Sequence, residues 1–305
     1  MEGIQDMGNY SRRRFLARSA GAAVGLLAAA GLPSCGDSGG KRGSKMRFGL
    51  VTYLWGKDWD LPTLIRNCDT TKVLGVELRT KHAHGVESNL SAEQRRQVKK
   101  CFADSPVALV GLGTNFEFHS PDPQKLRENI DGAKQYVVLS HDVGGTGVKV
   151  KPNDLPDDVP AEKTIEQIGS SLNELGKFAA DYGQEIRVEV HGRKTSELPI
   201  MKRIFDVATH PNVGVCWNCN EQDLEGDGLE HNFNLVKDHF GETVHVRELN
   251  IGDYPYQQLM NLFVKMYYKG WILLEARTEP EDRIRALAEQ RILFERMVAR
   301  AQALV

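Results

Sequence analysis

From Met46 onward, short apolar runs rich in β-branched residues alternate with longer stretches of amphipathic pattern. Eight of the short runs read as strands: Arg47–Leu54, Gly75–Arg79, Val107–Leu112, Gly147–Val150, Ile186–His191, Val213–Trp217, Val244–Leu249 and Trp271–Glu275. Helical patterns lie between them, among them Ser91–Phe102, Pro123–Leu139, Thr164–Tyr182, Glu197–Ala208, Tyr256–Tyr268 and Pro280–Ala303. Ser91 followed three residues later by Gln94 has the form of a capping box. Strands that alternate with helices pair in parallel through crossover connections. Eight such units over one stretch of this length close into a single (β/α)8 barrel of the TIM type. The competing architecture is an open doubly wound sheet, which usually carries a Gly-rich phosphate loop after its first strand. Trp55-Gly56-Lys57-Asp58-Trp59 is no such loop. Gly144-Gly145-Thr146-Gly147 precedes a strand rather than a helix, so it fails as a dinucleotide motif.

Residues 1–45 break this rhythm. Ser11-Arg12-Arg13-Arg14-Phe15-Leu16 stands before a small-residue apolar run from Ala20 to Leu32. A basic segment followed by a short apolar one has the form of an export signal, and the paired arginines resemble a twin-arginine (Tat) signal. The run is short and rich in Gly and Ala for a bilayer span. Leu32-Pro33-Ser34-Cys35-Gly36 resembles a lipoprotein processing site with Cys35 as the lipidated residue; an ordinary cleaved signal is the alternative. The expected location is the periplasm, free or lipid-anchored. The expected organisation is a signal and tether over 1–45 and a barrel over 46–305.

The net charge of −2 provides no field to draw nucleic acid or an acidic membrane. Export would permit disulfides among Cys68, Cys101, Cys216 and Cys219. Cys216 and Cys219 form a Cys-x-x-Cys pair, but it lies at a strand end with no second pair, so neither a redox motif nor a zinc knuckle is expected.

In such a barrel, function sits at the C-terminal ends of the strands. Those ends carry Glu77, Arg79, His82 and His84; Asn115, Glu117 and His119; Lys149 and Lys151; Glu189 and His191; Trp217, Asn218 and Glu221; His245, Arg247 and Glu248; and Glu275 and Arg277. Alternate strand residues share a face, so Glu189 with His191, His245 with Arg247, and Glu275 with Arg277 are expected to point into the mouth together. Carboxylates and imidazoles converging there need a compensating charge, which a divalent cation supplies. Oxygen-rich ligation with one histidine suits Mn²⁺, Mg²⁺ or Co²⁺, and admits Zn²⁺. Plainer roles stand beside these. Glu77 and Arg79 could pair with each other, His82 and His84 could be solvated loop residues, Lys151 beside Pro152 reads as surface, and Trp55, Trp59 and Trp217 read as core.

The order of these strand-end residues resembles the sugar phosphate isomerase/epimerase superfamily, the xylose isomerase-like barrels. The resemblance implies one metal held by Glu189, Asn218, His245 and Glu275, on strands five to eight. It also implies that Glu189 and Glu275 exchange protons with a sugar carbon. Arg79, Lys149, His191, Arg247 and Arg277 are the matching candidates for contact with substrate oxygens. Asn218 stands where many members carry aspartate; an amide oxygen can bind a hard cation but brings no charge. The implied activity is a metal-dependent isomerisation or epimerisation of a carbohydrate. The same carbanion chemistry on a keto-glycoside would make a lyase. A sugar-binding lipoprotein without catalysis is the third reading. A multi-zinc DNA-repair endonuclease is disfavoured, since it needs more His and Asp ligands. Pairing of barrels into a homo-oligomer is left open by the sequence.

Overall fold

The computed structural model describes residues 45–305. The expected export signal and the candidate lipidation residue Cys35 lie outside them. The expected alternation is present in full. Strands β1 (Arg47–Val51), β2 (Gly75–Arg79), β3 (Ala108–Glu117), β4 (Gly147–Lys151), β5 (Glu185–Glu189), β6 (Val213–Cys216), β7 (Thr243–Val246) and β8 (Trp271–Leu274) form one parallel sheet. Helices α1 (Leu61–Thr71), α2 (Ala92–Ala103), α3 (Pro123–Val143), α4 (Ala161–Ala180), α5 (Leu198–Val207), α6 (Gly228–Val236), α7 (Tyr256–Lys265) and α8 (Arg283–Gln302) connect or follow them. The spatial order 6-5-4-3-2-1-8-7 is sequential around a ring. β6 and β7 meet through a Val215–Phe240 bridge and the bonds Gly241 N to Val215 O (3.0 Å) and His245 N to Trp217 O (2.8 Å), which close the (β/α)8 barrel.

Local chemistry explains the element ends. Asp60 accepts from Thr63 N to open α1, with Pro62 in its first turn. The Ser91–Gln94 capping box forms as the spacing predicts. Gly144 ends α3 at φ 89°, a left-handed position that glycine takes without strain. The helices press apolar stripes against the outside of the barrel, where Leu64, Leu139, Leu172, Ile204, Leu259 and Leu287 are fully buried. Inside, a second and smaller cluster gathers Val51, Val110, Trp271 and Leu273. Gly75 makes room for it, because a Cβ there would lie 2.3 Å from the Trp271 ring.

Several boundaries differ from the sequence reading. β3 runs through Glu117 rather than ending at Leu112; its register on β4 breaks after Gly113 and resumes at Glu117, opposite Lys151. β5, β7 and β8 stop at Glu189, Val246 and Leu274, shorter than expected. A two-residue strand pair, Asn153–Asp154 with Gly192–Arg193, ties the loops after β4 and β5 together. Among the described residues no helix is long and apolar enough to cross a membrane, and all four cysteines there are free.

Candidate metal and active site

The strands place a charged cluster inside the barrel. His245 on β7 reaches Glu77 on β2, with Nε2 3.3 Å from Oε1, although β8 and β1 stand between those strands in the sheet. Its Nδ1 lies 3.8 Å from Glu189 Oε1 on β5. Arg79 on β2 comes within 3.8 Å of Glu275, just past β8. Such contacts can only cross the interior. Gly113 allows Glu77 its position, since a Cβ there would sit 2.6 Å from Glu77 Oε1. Glu77, Lys149, Glu189 and His245 are all essentially inaccessible to solvent.

The electrostatics follow from alternating signs. Lys149 Nζ lies 2.5 Å from Glu189 Oε2, and Lys151 Nζ 4.0 Å from the same oxygen. Burial works to raise the Glu189 carboxyl, but Lys149, His245 and Lys151 together hold it well below the usual carboxylate range. Glu77 is held low in the same way, burial being outweighed by His245, Lys149 and Arg187. Burial opposes a charge on His245, yet the Cys216 sulfur, Glu77 and Glu189 push it well above the ordinary imidazole value.

Glu189, His245 and Glu275 each offer one donor atom, and these atoms all lie within 4.8 Å of one another. Both ring nitrogens of His245 are buried without a hydrogen-bond partner, as is Nδ2 of the buried Asn218. Three donors at the ends of three strands are a set that fits one metal ion, which would take the place of the proton that the facing carboxylates otherwise favour on His245.

The remaining candidates fall in different places. His191 is held by Asn153, Nδ1 to Oδ1 2.9 Å, and burial lowers its pKa. Asn153 also bonds Glu117. The expected shared facing of Arg247 with His245 and of Arg277 with Glu275 does not rest on strand alternation, since β7 and β8 end at Val246 and Leu274 and both arginines lie in the loops that follow. Arg277 is exposed. Arg247 is half-buried and lines a side cavity of about 300 Å³ with Cys219, Tyr254 and Tyr256. Lys151 is not a surface residue: its side chain is 13% exposed and it faces Glu189. Glu77 and Arg79 do not pair with each other; each meets a partner across the barrel. His84 is buried between Arg79 O and Val86 N. Trp55 and Trp217 are core residues with satisfied indole N–H groups.

Glu248, named at its strand end without a role, and Asp223, which the sequence reading passed over, add further support. Glu248 Oε1 accepts from Arg277 N (3.0 Å), Thr278 N (2.7 Å) and Thr278 Oγ1 (2.6 Å), pinning the segment that follows Glu275. Asp223 closes a capping box with Asn220 and accepts from Tyr254 Oη at 2.6 Å. Burial pushes the Asp223 carboxyl up to about 7. The Asn220-x-x-Asp223 spacing was the available signal for the second of these.

A family model described as a xylose isomerase-like TIM barrel matches residues 65–295. No curated protein matches the chain. Among solved structures, the apo form of 3-keto-D-glucoside 4-epimerase YcjR from E. coli superposes with a TM-score of 0.70 at 15% identity, covering 83% of this chain and 100% of its own. An L-ribulose 3-epimerase gives 0.72 at 12% identity, covering 85% and 96%. The IOLI protein, solved with a bound zinc atom, gives 0.71 at 14% identity, covering 84% and 99%.

Proposed function

We propose, since the chain belongs to the xylose isomerase-like TIM barrel family, that it is a carbohydrate isomerase or epimerase working at a carbon held between Glu189 and Glu275. The observation that carries this reading is the convergence of donor atoms from Glu189, His245 and Glu275 within 4.8 Å at the strand ends. The epimerase activity of two similar folds supports it. One carboxylate removes a proton beside a carbonyl; the other delivers one to the opposite face in epimerisation, or the proton returns to the neighbouring carbon in isomerisation. Glu189 is held ionised, which is the form that accepts a proton. Arg79 and Lys151 face the two carboxylates, where their charges can offset the negative charge that develops on substrate oxygens. Glu189, His245 and Glu275, with the Asn218 oxygen, would hold a divalent cation, Mn²⁺, Mg²⁺ or Co²⁺ by ligand type with Zn²⁺ admissible; when bound it polarises the carbonyl and hydroxyl oxygens of the sugar.

The test is solvent exchange. In D₂O with a panel of ketoses and keto-glycosides, deuterium should enter one substrate carbon, and Glu189→Gln and Glu275→Gln should each slow that exchange by about 10²-fold or more. Binding of sugar with neither exchange nor any product would sink the enzymatic reading and leave a sugar-binding protein. A keto-glycoside lyase is the second reading. It rests on the same carbanion, which could expel a leaving group at the next carbon. Release of the leaving sugar in the same assay would identify it. Export through the twin-arginine route belongs to the proposal as well; Arg12→Lys with Arg13→Lys should hold the full chain in the cytoplasmic fraction.

A further inference from the structure

Both carboxylates of the donor set already face cations of the chain's own. Lys149 is fully buried, with Nζ 2.5 Å from Glu189 Oε2. Its place is fixed through the backbone, where Thr114 Oγ1 donates to Lys149 O at 2.6 Å. Lys151 lies 4.0 Å from the same Glu189 oxygen, and Arg79 Nη1 lies 3.8 Å from Glu275 Oε1. At the fourth position Asn218 adds no charge. Glu189 Oε1, 3.8 Å from His245 Nδ1, stays open to a metal, but an ammonium group on Oε2 already neutralises the carboxylate, and two cations side by side in a dry pocket repel strongly.

We propose that Lys149 is an internal competitor for the divalent cation: the ammonium group and the metal occupy Glu189 in turn, and the ion settles only when Lys149 withdraws. This rests on the reading of Glu189, His245 and Glu275 as a metal centre. Its consequence is that resting protein binds metal weakly and gains affinity when a substrate oxygen gives Lys149 another partner. Lys149 is then a positioning residue for the cation as well as a donor toward substrate.

Calorimetric titration with MnCl₂ and with ZnCl₂, without sugar, tests the proposal. Lys149→Gln keeps an N–H donor toward Glu189 and removes the charge. It should bind the ion at least about tenfold more tightly than native protein, and Asn218→Asp should gain by a similar factor. A structure of native protein at saturating Mn²⁺ should show Lys149 Nζ moved away from Glu189 Oε2, a readout that does not depend on any variant folding. An ion seated on Glu189 with the Lys149 hydrogen bond intact overturns the competition, as does equal affinity with and without the lysine charge. Absence of binding by every variant, the Lys149→Gln/Asn218→Asp pair included, overturns the metal centre itself.

Discussion

Two buried carboxylates in this barrel titrate in opposite senses. Glu77 is held below its ordinary range by His245, Lys149 and Arg187 against the effect of burial, so its contribution to stability is present above the unfolded-state value and disappears as pH falls through the folded one. Glu77→Gln should therefore lower stability at neutral pH, and the deficit relative to native protein should shrink in strong acid, as followed by urea unfolding. Asp223 behaves in reverse. Burial raises it to about 7, so the folded state holds a proton that the unfolded chain releases, and stability falls as pH rises from about 4 to about 7. Asp223→Asn removes that penalty. The variant should be more stable than native protein at pH 8, by at most on the order of 4 kcal/mol, and nearly equal to it at pH 4. At this scale the sequence told much about which polar residues gather and little about how they pair. Glu189, His245 and Glu275 were legible because each stands at or beside the end of its own strand. The Glu77–His245 contact was not, since it joins positions that only barrel closure brings together. Lys151 was misread for a local reason: Pro152 and the Asn-Asp that follow look like open loop, whereas those residues form the short pair with Gly192–Arg193.

Among elements, the segment after β8 matters most to the site. It carries Glu275 and is fastened to β7's following loop through one carboxylate oxygen of Glu248, which receives three hydrogen bonds. Glu248→Ala leaves three part-buried donors without their acceptor, at a cost of about 1 kcal/mol. The expected signature is a fall in kcat larger than any change in KM, with an unaltered far-ultraviolet circular dichroism spectrum. A rise in KM with kcat unchanged would detach Glu248 from the positioning of Glu275. Helix ends were readable where a side chain caps them, as at Ser91 and Gln94. Strand ends were less so, because apolar residues such as Leu249 continue the pattern beyond the last ladder bond.

For the molecule as a whole, the ring of eight strand–helix units was visible in the alternation itself, because each unit repeats the same exchange of short apolar run for amphipathic stretch. What no pattern announced is that the ring is uneven. Between β5 and β6, and between β7 and β8, four residue pairs run in register. Between β6 and β7 there is one bridge and two flanking hydrogen bonds. Asn218 and His245 stand on either side of that thin join. Local opening of a native protein starts where few backbone bonds resist it. The amides of Gly241 and His245 should therefore exchange with D₂O well before those of Leu273 and Val188, and a ligand bridging Asn218 and His245 should slow them selectively. An ion in this barrel would then act as a rivet across its weakest joint, so that occupancy of the site could be followed from the breathing of the wall around it, without any substrate in hand.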